Sequence, residues 1–151
     1  MTSSSENSIR GVASALGAAA LAVAAATPAS IAQEATSPDG SGVYTVEQAS
    51  RGKVQYDSKC ASCHGGAMAG IDVAPPLAGP RFLGNWSGQS VGDLATRVRT
   101  TMPADEPGSL DSGAVADIVA YMFKANGLPV GKDELPGSQA RLRTIRIEPK
   151  R

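Results

Sequence analysis

Five consecutive residues, from Cys60 to His64, combine two thiols and an imidazole at a spacing that could attach a haem covalently. In this Cys-Ala-Ser-Cys-His run each cysteine can add its thiol across a haem vinyl group, and the adjacent histidine can bind the iron. Cys60 and Cys63 are the only cysteines of the chain, and His64 is its only histidine. The run therefore predicts one covalently bound haem c, with Cys60 and Cys63 as thioether links and His64 as an axial ligand.

Three other uses of these residues stay open. A structural zinc site usually takes four Cys or His ligands, whereas this chain offers three in one cluster. A redox-active thiol pair of the thioredoxin kind would follow a strand of a βαβ unit, and no alternating or β-branched run precedes Lys59. A plain disulfide in an exported protein accounts for the cysteines but leaves the histidine beside them without a role. Haem attachment is the interpretation that uses all three side chains.

The first 32 residues have the composition of an export signal. A polar start with one arginine leads into an unbroken apolar and small-residue run over 11–26, and Ser30-Ile31-Ala32 has small residues where a signal peptidase reads them. We therefore predict a signal peptide over residues 1–32, with an Ala-rich disordered tail as the alternative. The apolar run is shorter than the roughly 20 residues of a spanning helix, so we expect no membrane anchor after cleavage.

Export agrees with the predicted cofactor, because bacterial c-type haem is attached outside the cytoplasm, where paired cysteines would otherwise oxidise. We therefore expect a periplasmic or secreted protein. The chain carries 14 basic and 14 acidic residues, and this neutral balance gives no sign of nucleic-acid binding.

Composition divides the mature chain into three parts. Residues 33–43 are rich in Gly, Ser and Pro and predict a flexible leader. A single domain is predicted over 44–130, followed by a basic extension over 131–151 with six basic and three acidic residues. Three possibilities stay open for this extension: it packs onto the domain, docks a partner or is disordered.

Three main helices are predicted in the domain, each with a capping side chain before an apolar or helix-compatible stretch. They run from Thr45 to about Lys59, from Ser90 to about Thr101, and from Asp111 or Ser112 to about Ala125. The stretch 65–89 is dense in Gly and Pro and predicts a long irregular loop that wraps a flat prosthetic group. Since no strand has good support, the expected fold class is all-α.

The second axial ligand can be narrowed by elimination. Without a second histidine it must be a methionine, a lysine or an open position. Met68 lies four residues from His64 and should stay on the same side of the haem, while Met122 falls beside the packing face of the third helix, where methionine is usually core. Met102 is held extended by the following proline and lies 38 residues beyond His64, far enough to reach the opposite face. Core packing of Met102 stays open as the alternative.

Over residues 45–125 the chain resembles the class I cytochrome c family. That family has a glycine on the first helix and an aromatic residue four positions later, as at Gly52 and Tyr56, and an aliphatic–aromatic pair on the last helix, as at Ile118 and Tyr121. The resemblance implies the small cytochrome c fold, in which the two helices cross closely at the glycine, and it implies that Tyr56 lies at the haem.

The same resemblance implies roles for three loop residues. Residues 74–77 are similar to the family's proline and leucine after the haem motif, so the Pro75 carbonyl should accept a hydrogen bond from Nδ1 of His64. The residues around Met102 look like the family's axial-methionine loop. Trp86 is expected either to donate its indole N–H to a haem propionate or to be buried against the ring edge.

The function implied by the resemblance is that of an electron carrier, not an enzyme. Single electrons would pass between redox proteins through a haem ligated by His64 and Met102. A periplasmic dehydrogenase or a terminal oxidase would be a suitable partner, and the extension looks like those of small cytochromes that accompany periplasmic quinoprotein dehydrogenases. Two alternatives stay open: a tightly bound electron-transfer subunit of a dehydrogenase or oxidase, and a haem peroxidase or gas sensor with an open distal site.

Overall fold

The computed structural model describes residues 42–149, which form six helices. In chain order they are α1 (Val46–Lys59), α2 (Ala61–His64), α3 (Pro80–Trp86), α4 (Val91–Thr101), α5 (Ser112–Ala125) and α6 (Gln139–Leu142). Within this range there is no strand, and the all-α fold class is confirmed. None of the described helices has the length and apolar character of a membrane span. The predicted signal peptide and all but the last two residues of the predicted leader lie outside the described residues.

The three main helices begin at the predicted capping residues. Thr45, Ser90 and Asp111 precede α1, α4 and α5, and each accepts a hydrogen bond from the backbone N–H three residues later, at 3.1, 3.0 and 2.9 Å. Each bond satisfies one of the backbone donors that a helix start leaves without a partner. The predicted positions of these three helices are therefore confirmed.

The first and last main helices cross where a side chain is missing. A Cβ atom at Gly52 would lie 1.8 Å from the backbone oxygen of Asp117, so the backbones of α1 and α5 are in direct contact at this point. Beside the crossing, the rings of Tyr56 and Tyr121 pack edge to face with centroids 5.4 Å apart, and Ile118 is buried. The crossing that the family resemblance implied is confirmed.

Helix α3 corrects the prediction that residues 65–89 are irregular throughout. Pro80 occupies the first turn, where its missing N–H costs nothing. Gly79 precedes it at φ +82°, a conformation that favours glycine, and its N–H donates to Oδ1 of Asn126 at 2.9 Å. Phe82 is buried. Two turns of helix are too short to show a periodic pattern, and a distant side chain stabilises their start.

The described part of the basic extension packs onto the domain, the first of the three possibilities left open by the sequence. Leu135, Leu142, Ile145 and Ile147 are all buried. The buried amide of Gln48 on α1 donates to the Leu135 carbonyl at 3.0 Å and accepts from its N–H at 2.8 Å. The extension therefore contributes four apolar residues to the core of the domain.

Candidate haem site

The two cysteines lie at a short break between helices. Cys60 is the C-cap of α1 and immediately precedes the single turn of α2, which carries Cys63 and ends at His64. Both thiols are free: that of Cys60 is partly buried and that of Cys63 is exposed. Burial raises the pKa of the Cys60 thiol, so that this group stays protonated at neutral pH. The predicted attachment residues are thus brought together on one helical turn.

His64 is buried and has one ring nitrogen engaged. Its Nδ1 lies 2.9 Å from the carbonyl oxygen of Pro75. Because a carbonyl only accepts, Nδ1 is the donor, and in the neutral ring the lone pair is then on Nε2. Nε2 makes no hydrogen bond to any residue that the structure describes. An imidazole in this tautomer is the form that binds a metal, so the donor set fits haem iron.

The loop after His64 folds back to bring Pro75 to the ring. The Gly70 N–H donates to the His64 carbonyl at 2.9 Å, and the Leu77 N–H donates to the Met68 carbonyl at 2.9 Å. Gly70 has φ +81°, and a Cβ atom there would lie 2.5 Å from the Ala74 oxygen, so both its conformation and its surroundings require glycine. The loop thus fixes the Pro75 carbonyl by its backbone.

Asn126 is a structural residue of this region that the sequence analysis missed. It is the C-cap of α5, and its Nδ2 donates to the Leu77 carbonyl at 2.9 Å while its Oδ1 accepts from Gly79. One side chain therefore connects the end of α5 to the loop that contains Pro75 and to the start of α3. The only signal was an asparagine before Gly127 at a helix end, which is common for capping alone.

Tyr56 connects α1 to the same loop. Its ring is fully buried, and its hydroxyl donates to the Gly65 carbonyl at 2.7 Å. Burial, with smaller contributions from the nearby Cys60, Tyr121 and Asp57, raises the pKa of Tyr56 to about 12. The bond places the Tyr56 hydroxyl at the residue that follows His64.

We expect this phenol to make stability depend on alkaline pH. A tyrosine in the unfolded chain ionises near pH 10, whereas Tyr56 in the folded chain stays protonated to about pH 12. Its contribution is therefore complete below pH 10 and is lost as the pH rises towards 12. Urea unfolding between pH 9 and 12 should show a smaller alkaline loss of free energy in Tyr56→Phe than in wild type. An equal alkaline loss of unfolding free energy in wild type and Tyr56→Phe would contradict the raised pKa of Tyr56. Tyr121→Phe is the control.

Met102 differs from the other methionines of the described residues in its environment. Met68 and Met122 are each only 1% exposed, and Met122 is core as expected. Met102 is partly buried, caps the C-terminus of α4, and has an extended backbone with φ −128° and ψ 152°. Its N–H donates to the Val98 carbonyl at 2.9 Å. The Met102 side chain therefore lies directly after the end of α4, as the sequence indicated.

Trp86 is the last residue of α3. Its indole packs against the hydrophobic core, and its ring centroid lies 6.5 Å from that of Phe82.

Among the described residues no group of three or more His, Cys, Asp or Glu side chains is placed to hold a metal ion, so the zinc alternative has no donor cluster there.

A known family matches the part of the chain that contains this site. The family model described as "Cytochrome C oxidase, cbb3-type, subunit III" matches residues 47–122, half of the chain, from the first turn of α1 to near the end of α5. Among solved structures, the chain is similar to one in the crystal structure of the sulfane dehydrogenase SoxCD from Paracoccus pantotrophus. The identity is 24% and the TM-score 0.48, covering 87% of this chain and 67% of that one. No curated protein matches the sequence.

Proposed function

This chain belongs to the class I c-type cytochromes, a family of electron-transfer proteins, and we propose that it is a periplasmic or secreted carrier with one His/Met-ligated haem. The observation that carries the proposal is the hydrogen bond between His64 Nδ1 and the Pro75 carbonyl, which orients Nε2 as a ligand. An imidazole fixed in this way beside two free thiols is suited to a tethered haem.

In this proposal each side chain has a separate task. Cys60 and Cys63 would hold the haem covalently through thioether links, and Nε2 of His64 and the sulfur of Met102 would bind its iron. Tyr56 and Trp86 would lie beside the ring. A haem c bound in this way would supply a one-electron couple, and the Met102 thioether would favour its reduced form relative to a histidine ligand. If the side chains of His64 and Met102 both held the iron, no position on it would be left for a substrate, which favours a carrier over a peroxidase or gas sensor.

An apolar surface next to the site supports transient docking of a redox partner. Ile71 and Val73 follow His64 on the loop that contains Pro75, and they are 47% and 100% exposed. Apolar side chains exposed in this way are the kind that a weak, short-lived electron-transfer complex covers over a small interface. The donor and acceptor would be redox proteins of the same compartment, such as a periplasmic dehydrogenase or a terminal oxidase. The predicted signal peptide over residues 1–32 would provide the export.

A second candidate is a cytochrome subunit that stays bound to a larger oxidase or dehydrogenase. The matching family model favours it, because its description is that of an oxidase subunit. Purification without detergent, at native expression level, separates the two candidates. A free carrier would elute alone, at a mass below the 15.3 kDa of the full chain because residues 1–32 would be removed on export, whereas a permanent subunit would co-elute with a large catalytic chain.

The test of haem ligation is the absorption spectrum of the exported protein, oxidised and then reduced with dithionite. We expect a low-spin covalent haem with the weak far-red band of methionine bound to ferric iron. This band should be lost completely in Met102→Leu and be retained in Met122→Leu, which changes a fully buried core methionine. A high-spin spectrum that changes with carbon monoxide would indicate an open site, and a colourless protein would contradict the proposal.

A further inference from the structure

Residues 138–147 of the extension run along α4, and we call this segment the C-terminal strap. The strap begins with α6 and is fixed to the domain by three apolar side chains. Leu142 is 2% exposed, Ile145 is 5% exposed, and Ile147 is fully buried. Burying three large aliphatic residues favours the packed position of this segment.

Backbone hydrogen bonds join the strap to the residues that lead into α4. The Val91 N–H donates to the Ile145 carbonyl at 2.9 Å. Two residues further along, the Ile147 N–H donates to the Gln89 carbonyl at 3.0 Å, and the Ile147 carbonyl accepts from the Gly88 N–H at 2.9 Å. These three bonds hold the turn between α3, which ends at Trp86, and the first residue of α4.

The strap also contacts the first half of α4 itself. Nε2 of Gln139 donates to the Gly92 carbonyl and to Oγ1 of Thr96, both at 2.7 Å. At Gly92 the strap backbone lies directly on the helix, because a Cβ atom there would be 2.8 Å from the backbone nitrogen of Arg143 and 2.5 Å from its Cγ. Position 92 therefore admits only glycine while the strap is in place.

Helix α4 connects the residues that the strap contacts to Met102 at its C-terminal end. It is a single helix of 11 residues with no break, and the Met102 N–H is its last hydrogen-bonded donor, to the Val98 carbonyl. A helix of this length is a rigid rod of about 16 Å. Apart from the strap, the helical neighbour of α4 is α5. A rotation or shift of α4 on α5 would therefore move the Met102 sulfur with it.

We propose that the strap is a positioning element for Met102, acting through Gln139 and Gly92 on α4. The inference rests on the proposed function, because it requires Met102 to be an axial ligand. With the strap in place, α4 has one orientation on α5 and the thioether stays at the haem. When the strap is loosened, α4 gains freedom, the thioether detaches more often, and an added ligand competes for the vacated position more easily.

The experiment is an imidazole titration of the ferric holoprotein, followed by the loss of the far-red methionine band. Gln139→Ala removes two hydrogen bonds from α4 and should tighten apparent imidazole binding about tenfold, since the detached state becomes more populated by that factor. Gly92→Ala should have an effect in the same direction, because the new Cβ displaces the strap. Gln139 is only partly buried, so its variant is expected to fold even if Gly92→Ala does not.

Two matched controls separate positioning from general stability. Gln48→Ala removes a buried glutamine that also forms two hydrogen bonds to the extension, but from α1 and not from α4. Gly84→Ala adds a methyl group to α3 where no atom lies within 4 Å. Gln48→Ala should lower the melting temperature and leave imidazole affinity within twofold of wild type. Gly84→Ala should leave imidazole affinity unchanged and should not lower the melting temperature, because alanine has the higher helix propensity.

The outcomes distinguish the inference from the function on which it rests. If wild type shows the far-red band and Gln139→Ala loses stability without a change in imidazole affinity, the strap is only structural and the inference is wrong. The same holds if Gln48→Ala tightens imidazole binding as much as Gln139→Ala. If wild type lacks the band, the proposed Met102 ligation is wrong, and the positioning role is overturned with it.

Discussion

Gly52→Ala is expected to destabilise the protein by about 3 kcal/mol, the upper part of the range for overpacking a tight contact. In most helix interiors the same change stabilises by up to about 1 kcal/mol, because alanine has the higher helix propensity. Here a Cβ atom would lie 1.8 Å from the Asp117 oxygen. Backbone atoms of two packed helices cannot move aside as a flexible side chain can, so α1 and α5 must separate.

Thermal unfolding of the holoprotein measures this effect. For a domain of about 100 residues, 3 kcal/mol corresponds to a decrease in melting temperature of roughly 12 to 24 °C. Gly84→Ala is again the matched control, since it adds the same methyl group on a helix where no atom lies within 4 Å. A melting temperature of Gly52→Ala equal to that of the control would contradict the close crossing of α1 and α5.

The main helices could be predicted because their determinants are local. Thr45, Ser90 and Asp111 are capping residues close in sequence to the N–H groups that they accept from. Helix α3 depends on more distant interactions: its start is fixed by Asn126, 47 residues away, and its side-chain anchor is the single buried Phe82. A pattern search cannot detect a two-turn helix whose stability comes from tertiary contacts.

In the candidate site, too, local features could be predicted from the sequence and distant contacts could not. The arrangement of Cys60, Cys63 and His64 follows from their spacing on one turn of helix, so the sequence alone predicts it. The contact of His64 with Pro75 joins residues that no periodicity relates, and it was predicted only because the family resemblance implied it. The contact of Gln139 with Gly92 had neither source, because the two residues lie 47 positions apart and no motif contains either of them.

The double variant Cys60→Ser/Cys63→Ser is expected to lose all covalently bound haem. A serine hydroxyl cannot replace a thiol in forming the thioether bonds, and these are the only two cysteines of the chain. Haem staining after a denaturing gel measures the attachment directly, because only covalently held haem stays with the polypeptide. Ser62→Ala, which changes the exposed residue between them, should stain like wild type.

The single variants test whether the two thiols act separately. Cys63→Ser keeps the partly buried Cys60, and Cys60→Ser keeps the exposed Cys63, so each retains one possible link. We expect covalent haem in both single variants at reduced yield and none in the double variant. Haem that remains covalently bound to the double variant would require attachment at a residue other than cysteine and would contradict the assigned site. Because His64 is unchanged in all three proteins, a difference between them reports on the tether and not on the axial ligand.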